Sequence, residues 1–335
     1  MSRREWMVPL GLKVYVTRLI PKPGLDLLCS FAETRIWEGE LPPPREVLLQ
    51  EAKEVDGILS LLTDTIDSEL MDAAPNLRVV SNYAIGYDNI DVQVATERGI
   101  MVCHTPGVLT ETTADFTFAL LACVARRVVE AVRYVREGRW QTWAPMLCLG
   151  YDLYGSTLGL IGLGRIGGAV AKRATGFEMR TLYHDVNRQP SLEEELGLTY
   201  VDLATLLRES DFISLHTPLT SETYHMIGAE QFKMMKNRAI LINTSRGQVV
   251  DEEALCEALA SGEIAGAGLD VTDPEPIDAD DPLLKLDNCV VVPHIASASI
   301  ATRTLMATLA AENLIAALQG RMPRNPVNPE VLDKR

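Results

Sequence analysis

The chain has 335 residues, 47% of them hydrophobic and 23% charged, with a net charge of −15 at pH 7. That length exceeds what one core usually serves and predicts about two domains. The composition is that of an ordinary globular protein, and the acidic excess argues against a broad basic surface and hence against nucleic acid as a partner.

The start, Met1–Met7, carries basic residues but no apolar stretch behind them, so no signal peptide is expected. Lys13–Thr17 reads as the first strand, and a helix follows Pro23-Gly24. Strands are then predicted at Thr34–Trp37, Gly57–Leu61, Leu77–Asn82 and Gly99–Cys103, with helices such as Pro44–Glu54 and Asp67–Ala73 between them. Alternating β and α implies a parallel sheet covered on both faces. The apolar stretch from Thr112 to Val135 contains Asp115, Arg126, Arg127 and Glu130. These are too many charges for a membrane span, and one long buried helix is predicted, from about Thr112 to Glu137. A second α/β series has strands at Thr157–Ile161, Arg180–His184, Phe212–His216, Ala239–Asn243, Gly266–Asp270 and Cys289–Val292. A last helix runs from about Ser299 to Leu318 and is stopped by Gly320 and Pro323. The six cysteines, Cys29, Cys103, Cys123, Cys148, Cys256 and Cys289, form no CxxC pair and no zinc-ligand spacing with histidine. No metal is expected, and scattered thiols suit a reducing cytoplasm.

Leu158-Gly159-Leu160-Ile161 ends in Gly162-Leu163-Gly164-Arg165-Ile166-Gly167, and helical periodicity follows. This strand–loop–helix setting is what a dinucleotide loop requires. Gly162 permits the tight turn, Gly164 lets the backbone approach a pyrophosphate, and Gly167 lets helix and strand pack closely. The helix N-terminus, with Arg165 and Ile166, then offers N–H groups and partial positive charge to the phosphates. Asp185, about 20 residues on, is placed to accept from both ribose hydroxyls and to repel a 2′-phosphate. NAD is therefore favoured, with NADP left open because Arg173 and Arg188 are near in sequence. The alternative for Asp185 is a solvated loop acid.

Three later segments each place one titratable or charged group in a loop. They are Asn243-Thr-Ser-Arg-Gly247, Asp273-Pro-Glu-Pro276 and Pro293-His-Ile-Ala-Ser297. Arg246 can grip a carboxylate through two parallel hydrogen bonds. His294 can pass a proton near neutral pH, and Glu275 can fix its tautomer. The set reads as hydride transfer to or from a small 2-oxo or 2-hydroxy acid. The bland alternatives are a structural ion pair for Arg246, a turn acid for Glu275 and a backbone-satisfied strand-end histidine for His294. His104, His184, His216 and His225 are read as structural.

At these residues the chain resembles the D-isomer-specific 2-hydroxyacid dehydrogenase family over nearly its whole length, and most of all the glyoxylate/hydroxypyruvate reductase branch. The resemblance is carried by Asn82–Ile90, Gly150–Gly155, Gly159–Gly167, Ile242–Gly247, Ala267–Val271 and Asn288–His294. It implies an α/β fold of two doubly wound parallel-sheet domains. A Rossmann NAD-binding domain (113–303) would be inserted into a flavodoxin-like substrate domain (1–112 and 304–335), with the site in the cleft between them. It also implies a homodimer in which an arm, Trp140–Tyr154, reaches over the partner, bringing Trp140 or Trp143 to the neighbour's site.

Position by position, the resemblance implies that His294 is the acid/base, Glu275 its carboxylate partner and Arg246 the substrate-binding arginine. Ala84, Ile85 and Gly86 would hold the substrate carboxylate through backbone N–H groups, with Ser297 and Trp143 as further substrate contacts. Thr113, Thr217, Thr244 and Asp270 would be cofactor contacts, Asp270 near the nicotinamide. One departure is Ala296-Ser297-Ala298, where the family often has Gly-Ser-Ala. Other members of the family act on D-lactate, D-glycerate, phosphoglycerate or phosphite, and some relatives are NAD-sensing binding proteins. The loop Asn82–Gly86 lacks the lysine of the phosphite enzymes, and Glu275 stands where formate dehydrogenases have glutamine.

Overall fold

The computed structural model describes residues 11–333, so the expectation for the first seven residues lies outside the described residues. In chain order the elements begin with β1 (Lys13–Val16), α1 (Lys22–Phe31), β2 (Glu33–Ile36), α2 (Arg45–Ala52), β3 (Gly57–Ser60), α3 (Ser68–Ala73), β4 (Val79–Asn82), α4 (Val92–Glu97) and β5 (Met101–Cys103). The middle of the chain forms α5 (Thr110–Ala125), α6 (Val128–Arg136), β6 (Thr157–Ile161), α7 (Arg165–Ala174), β7 (Arg180–His184), α8 (Pro190–Leu196), β8 (Thr199–Tyr200), α9 (Leu203–Glu209) and β9 (Phe212–Leu215). It continues through α10 (Ala229–Met234), β10 (Ile240–Asn243), α11 (Glu252–Ser261), β11 (Gly266–Leu269) and β12 (Cys289–Val291), and the chain closes with α12 (Ile300–Leu318) and α13 (Glu330–Asp333).

Two compact units result among the described residues, 11–109 with 299–333, and 110–298. In the first, five strands pair in the order β2-β1-β3-β4-β5, all parallel. Strands β3, β4 and β5 are buried along their whole length, as expected for a sheet covered on both faces. Helix α12 lies against α1 so closely that a methyl on Gly24 would meet the Ala307 carbonyl at 2.6 Å.

The second unit has seven parallel strands in the order β12-β11-β10-β9-β6-β7-β8. The order reverses at β6, and this switch point puts the C-terminal strand ends at one edge as a place for ligands. One core lies on each face, with Leu121, Leu158, Val170 and Tyr183 on one side and Phe232, Leu241, Leu255 and Ile264 on the other. Aspartates start several helices by accepting from the first turn: Asp202 from Thr205 N at 2.9 Å and Asp251 from Ala254 N at 3.1 Å.

The structure corrects the single long helix predicted over Thr112–Glu137. Arg127 adopts a left-handed backbone (φ 51°), which ends α5 and starts α6 in a new direction. Among the described residues no helix is long and apolar enough to cross a membrane.

Candidate active site

The chemistry-bearing loops of the second unit leave three neighbouring parallel strands. Asn243 at the end of β10 is in register with Leu269 of β11, and Leu269 with Val291 of β12. Arg246 follows Asn243 by three positions, Asp270 follows Leu269 directly, and His294 follows Val291 by three.

Buried Asn243 folds the first loop. Its Nδ2 donates to Arg246 O at 2.8 Å, and its Oδ1 accepts from Ser245 N at 3.0 Å and Ser245 Oγ at 2.9 Å. Arg246 Nη1 donates to Ser245 O at 2.8 Å, which anchors one edge of a half-buried guanidinium. Gly247 presses on the next loop, since a methyl there would sit 2.1 Å from Thr272 C. That second loop, Thr272–Pro276, is pinned where Asp273 N donates to Glu252 Oε1 at 2.8 Å and Gln248 Nε2 donates to Asp273 Oδ1 at 3.1 Å. Burial pushes the Glu252 carboxyl up to about 7, and the nearby charges of Asp281 and Asp273 act in the same direction.

The loop brings Glu275 to His294, with Nδ1 2.6 Å from Glu275 Oε1. A carboxylate accepts only, so Nδ1 carries the hydrogen in this contact. His294 itself sits at φ 52°, a left-handed backbone that few residue types other than glycine adopt readily. Asp270 holds this turn. Its Oδ1 accepts from Ile295 N at 2.6 Å and its Oδ2 from Ala296 N at 2.9 Å. Burial raises the pKa of Asp270 above the ordinary value, and the two amide donors oppose that rise. Ala296 and Ser297 are buried beside it. Both oxygens of Asp270, read from the sequence as a cofactor contact, are thus engaged in bracing the His294 loop.

The glycine loop has the shape a pyrophosphate requires. Gly162 is left-handed (φ 91°), and a methyl on it would meet His216 O at 2.7 Å. A methyl on Gly167 would lie 2.2 Å from Gly162 O, so helix α7 and strand β6 approach as closely as backbones can. A methyl on Gly164 would meet nothing within 4 Å, which leaves open space over the loop. No side chain caps the start of α7, where exposed Arg165 and half-buried Ile166 follow Gly164. Asp185 leaves β7 beside this loop, its Oδ2 accepting from Leu163 N at 2.7 Å and its Oδ1 from Asn187 N at 2.8 Å. Among the described residues, the buried Thr217 Oγ1 has no hydrogen-bond partner. An open glycine cradle and an orphaned hydroxyl together fit a dinucleotide.

Thr113 and Thr244 are linked through a residue the sequence did not single out. Thr117 Oγ1 donates to Thr113 O at 2.8 Å and lies 3.1 Å from Thr244 Oγ1. Its position one turn after Thr113 on α5 was the available signal. Ala84, Ile85 and Gly86 lie in the first unit, in the loop after β4. Trp143 is 78% exposed and Trp140 60%, and neither is packed into the fold of its own chain. His216, half-buried and with its ring nitrogen 2.9 Å from Ser214 Oγ, has its pKa lowered by burial to about 4 and stays neutral.

The chain is similar to known proteins over nearly its whole length. The family described as D-isomer specific 2-hydroxyacid dehydrogenase, NAD binding domain, matches residues 118–296. A glyoxylate reductase of Korarchaeum cryptofilum is 60% identical over 96% of this chain and 98% of the relative. Among solved structures, a Thermus thermophilus protein is 50% identical with a TM-score of 0.90, covering 94% of this chain and 100% of that one. An NADPH-dependent glyoxylate/hydroxypyruvate reductase from Sinorhizobium meliloti, solved with NADP and malonate, is 35% identical with a TM-score of 0.81, over 95% and 97% of the two chains. The fold is that of two parallel-sheet α/β domains, one of them dinucleotide-binding, and the chain belongs to the D-isomer-specific 2-hydroxyacid dehydrogenases.

Proposed function

We propose that the protein is a glyoxylate reductase that uses a nicotinamide dinucleotide, with His294 as its proton donor. The observation that carries this reading is the 2.6 Å contact between His294 Nδ1 and Glu275, with Nε2 proposed as the exchanging nitrogen. The name of the 60% identical relative supports glyoxylate as substrate, and that of the Sinorhizobium enzyme supports hydroxypyruvate as a second one. A nicotinamide dinucleotide held by the glycine loop would supply a hydride to the carbonyl carbon, and negative charge would then develop on the oxygen. Arg246 binds the substrate carboxylate and polarises the carbonyl, and donors placed in advance lower the barrier. Protonated His294 gives its proton to the oxygen, and Glu275 keeps the imidazolium aimed and favourable. The amides of the Ala84–Gly86 loop assist in holding the carboxylate. Gly162, Gly164 and Gly167 with the start of α7 hold the pyrophosphate, while Thr113, Thr217 and Thr244 line the dinucleotide. Domain boundaries near residues 112 and 303 belong to the same reading. Steady-state reduction of glyoxylate, hydroxypyruvate and pyruvate tests it, and folded protein that binds NADH but reduces none of the three would remove it.

NADH is the proposed electron donor. Asp185 stands beside the glycine loop, and neither nearby arginine is at leave to compensate its charge. Arg188 Nε and Nη2 each lie 2.8 Å from the Glu193 carboxylate, and Arg173 is paired with Glu111 and Asp115. Asp185→Ser is expected to improve kcat/KM with NADPH by about tenfold, the removal of one close like-charge repulsion. An unchanged ratio of NADPH to NADH efficiency would show that selectivity lies elsewhere.

A homodimer is the proposed assembly. Helix α6 buries none of its residues, and Val128, Val132 and Val135 form an exposed apolar stripe at helical spacing. Trp140, Trp143, Met146 and Tyr154 of the following arm are also exposed, and such a combined patch marks an interaction surface. Val132→Glu is expected to shift sedimentation from dimer to monomer. A monomeric wild type at micromolar concentration contradicts the assembly. Six free cysteines are in keeping with a cytoplasmic setting.

A further inference from the structure

The loop after β4 holds its backbone in an ordered way. In a trans peptide the carbonyl and the following N–H point to opposite sides of a rigid plane. A donor that grips one carbonyl therefore fixes where the next N–H aims. Three consecutive carbonyls are gripped here. Ala84 O accepts from Thr105 N at 2.8 Å, Ile85 O lies 2.8 Å from His104 Nδ1, and Gly86 O accepts from Asn82 Nδ2 at 2.8 Å. Among the described residues, the N–H groups of Ile85 and Gly86 donate to no protein acceptor.

His104 is the one titratable side chain among these grips. A carbonyl only accepts, so Nδ1 bears the hydrogen in this contact. The ring is itself fixed, edge-on to Tyr87 with centroids 5.4 Å apart. Its backbone is tied down as well: His104 N donates to Asn325 O at 3.2 Å, and His104 O accepts from Asn313 Nδ2 at 3.0 Å.

We propose that His104 is a positioning residue for the substrate carboxylate, acting by holding Ile85 O so that the Gly86 N–H is aimed at that carboxylate. This rests on the reading that the Ala84–Gly86 loop binds the carboxylate. The test compares His104→Leu, His104→Phe and His104→Asn in steady-state kinetics with glyoxylate and NADH. Phenylalanine keeps a flat ring without the donor, and it serves if the leucine variant does not fold. Asparagine carries an N–H donor on the same Cγ to which Nδ1 is bonded. Removing the donor is expected to raise the KM for glyoxylate roughly 3–10-fold, the worth of one hydrogen bond, with kcat and the KM for NADH near wild type. Asparagine is expected to restore the glyoxylate KM. A wild-type glyoxylate KM in the leucine and phenylalanine variants, or a rise that asparagine does not reverse, overturns the proposal. Gly86→Pro, which deletes the N–H itself, separates the two readings. If it raises the glyoxylate KM while the His104 variants do not, the loop reading stands and His104 falls. If none of them changes it, the loop reading falls as well.

Discussion

Replacing His294 by asparagine is expected to lower kcat for glyoxylate reduction by about 10²–10⁴-fold, the usual worth of a positioned general acid. Asparagine is the appropriate replacement because position 294 has a φ of 52°, and Asn tolerates the left-handed region better than alanine or leucine. The variant therefore removes the proton without unsettling the turn that Asp270 braces through Ile295 N and Ala296 N. NADH affinity, read by fluorescence titration, should stay at the wild-type value, because the pyrophosphate loop is built from β6 and α7. A kcat within tenfold of wild type would mean that another group, or water, supplies the proton. Glu275→Gln should give a smaller loss, since an amide oxygen still accepts from Nδ1 while the charge that favours the imidazolium is gone.

Arg246→Leu is expected to reduce kcat/KM for glyoxylate by about 10²–10⁴-fold, because two charge-assisted hydrogen bonds to the carboxylate are lost together. Arg246→Lys should recover part of this, keeping the charge but not the planar fork. The split between constants is informative. A loss confined to KM means that Arg246 binds ground and transition states equally. A fall in kcat as well means that it also meets the developing charge on the carbonyl oxygen. Unfolding temperatures should barely move, since Asn243 rather than the guanidinium folds the loop. An unchanged glyoxylate KM in the leucine variant would remove Arg246 from the carboxylate site.

The strand ends were legible because each buried strand is a short Val/Ile/Leu run closed by a polar or glycine residue, as Ile240–Asn243 and Thr157–Ile161 illustrate. The glycine loop was legible for the same reason: its strand and its helix flank it in sequence. The break at Arg127 was not, because no glycine or proline marks it and the apolar pattern runs on from Val124 to Val128. Strand β8 was missed because two exposed edge residues carry no periodicity. The pairing of Glu275 with His294 joins residues nineteen positions apart across a loop. No spacing rule announces it; the residue types alone suggested that a carboxylate could serve the histidine, and the resemblance to a family named the pair. The bonds from Ile295 N and Ala296 N to the Asp270 carboxylate beside His294 were not legible either, since nothing in the sequence marks a strand-end aspartate as a backbone acceptor. Backbone grips such as that of His104 on Ile85 O leave no trace in composition at all.

The registered strands β10, β11 and β12 act as a ruler. Adjacent strands in any sheet lie about 4.8 Å apart, a pitch set by the peptide hydrogen bond and not by side chains. Arg246, Asp270 and His294 each leave one tooth of that comb. The lateral spacing of the bases from which these side chains extend is then inherited from backbone chemistry common to all proteins. Drift in the amino acids of α11, or in the loops at the opposite ends of these strands, can alter stability without altering that pitch. What a lineage must preserve is short: the few side chains at the tips, and the hydrogen bonds by which Asn243 and Asp270 fold the first turn beyond the sheet.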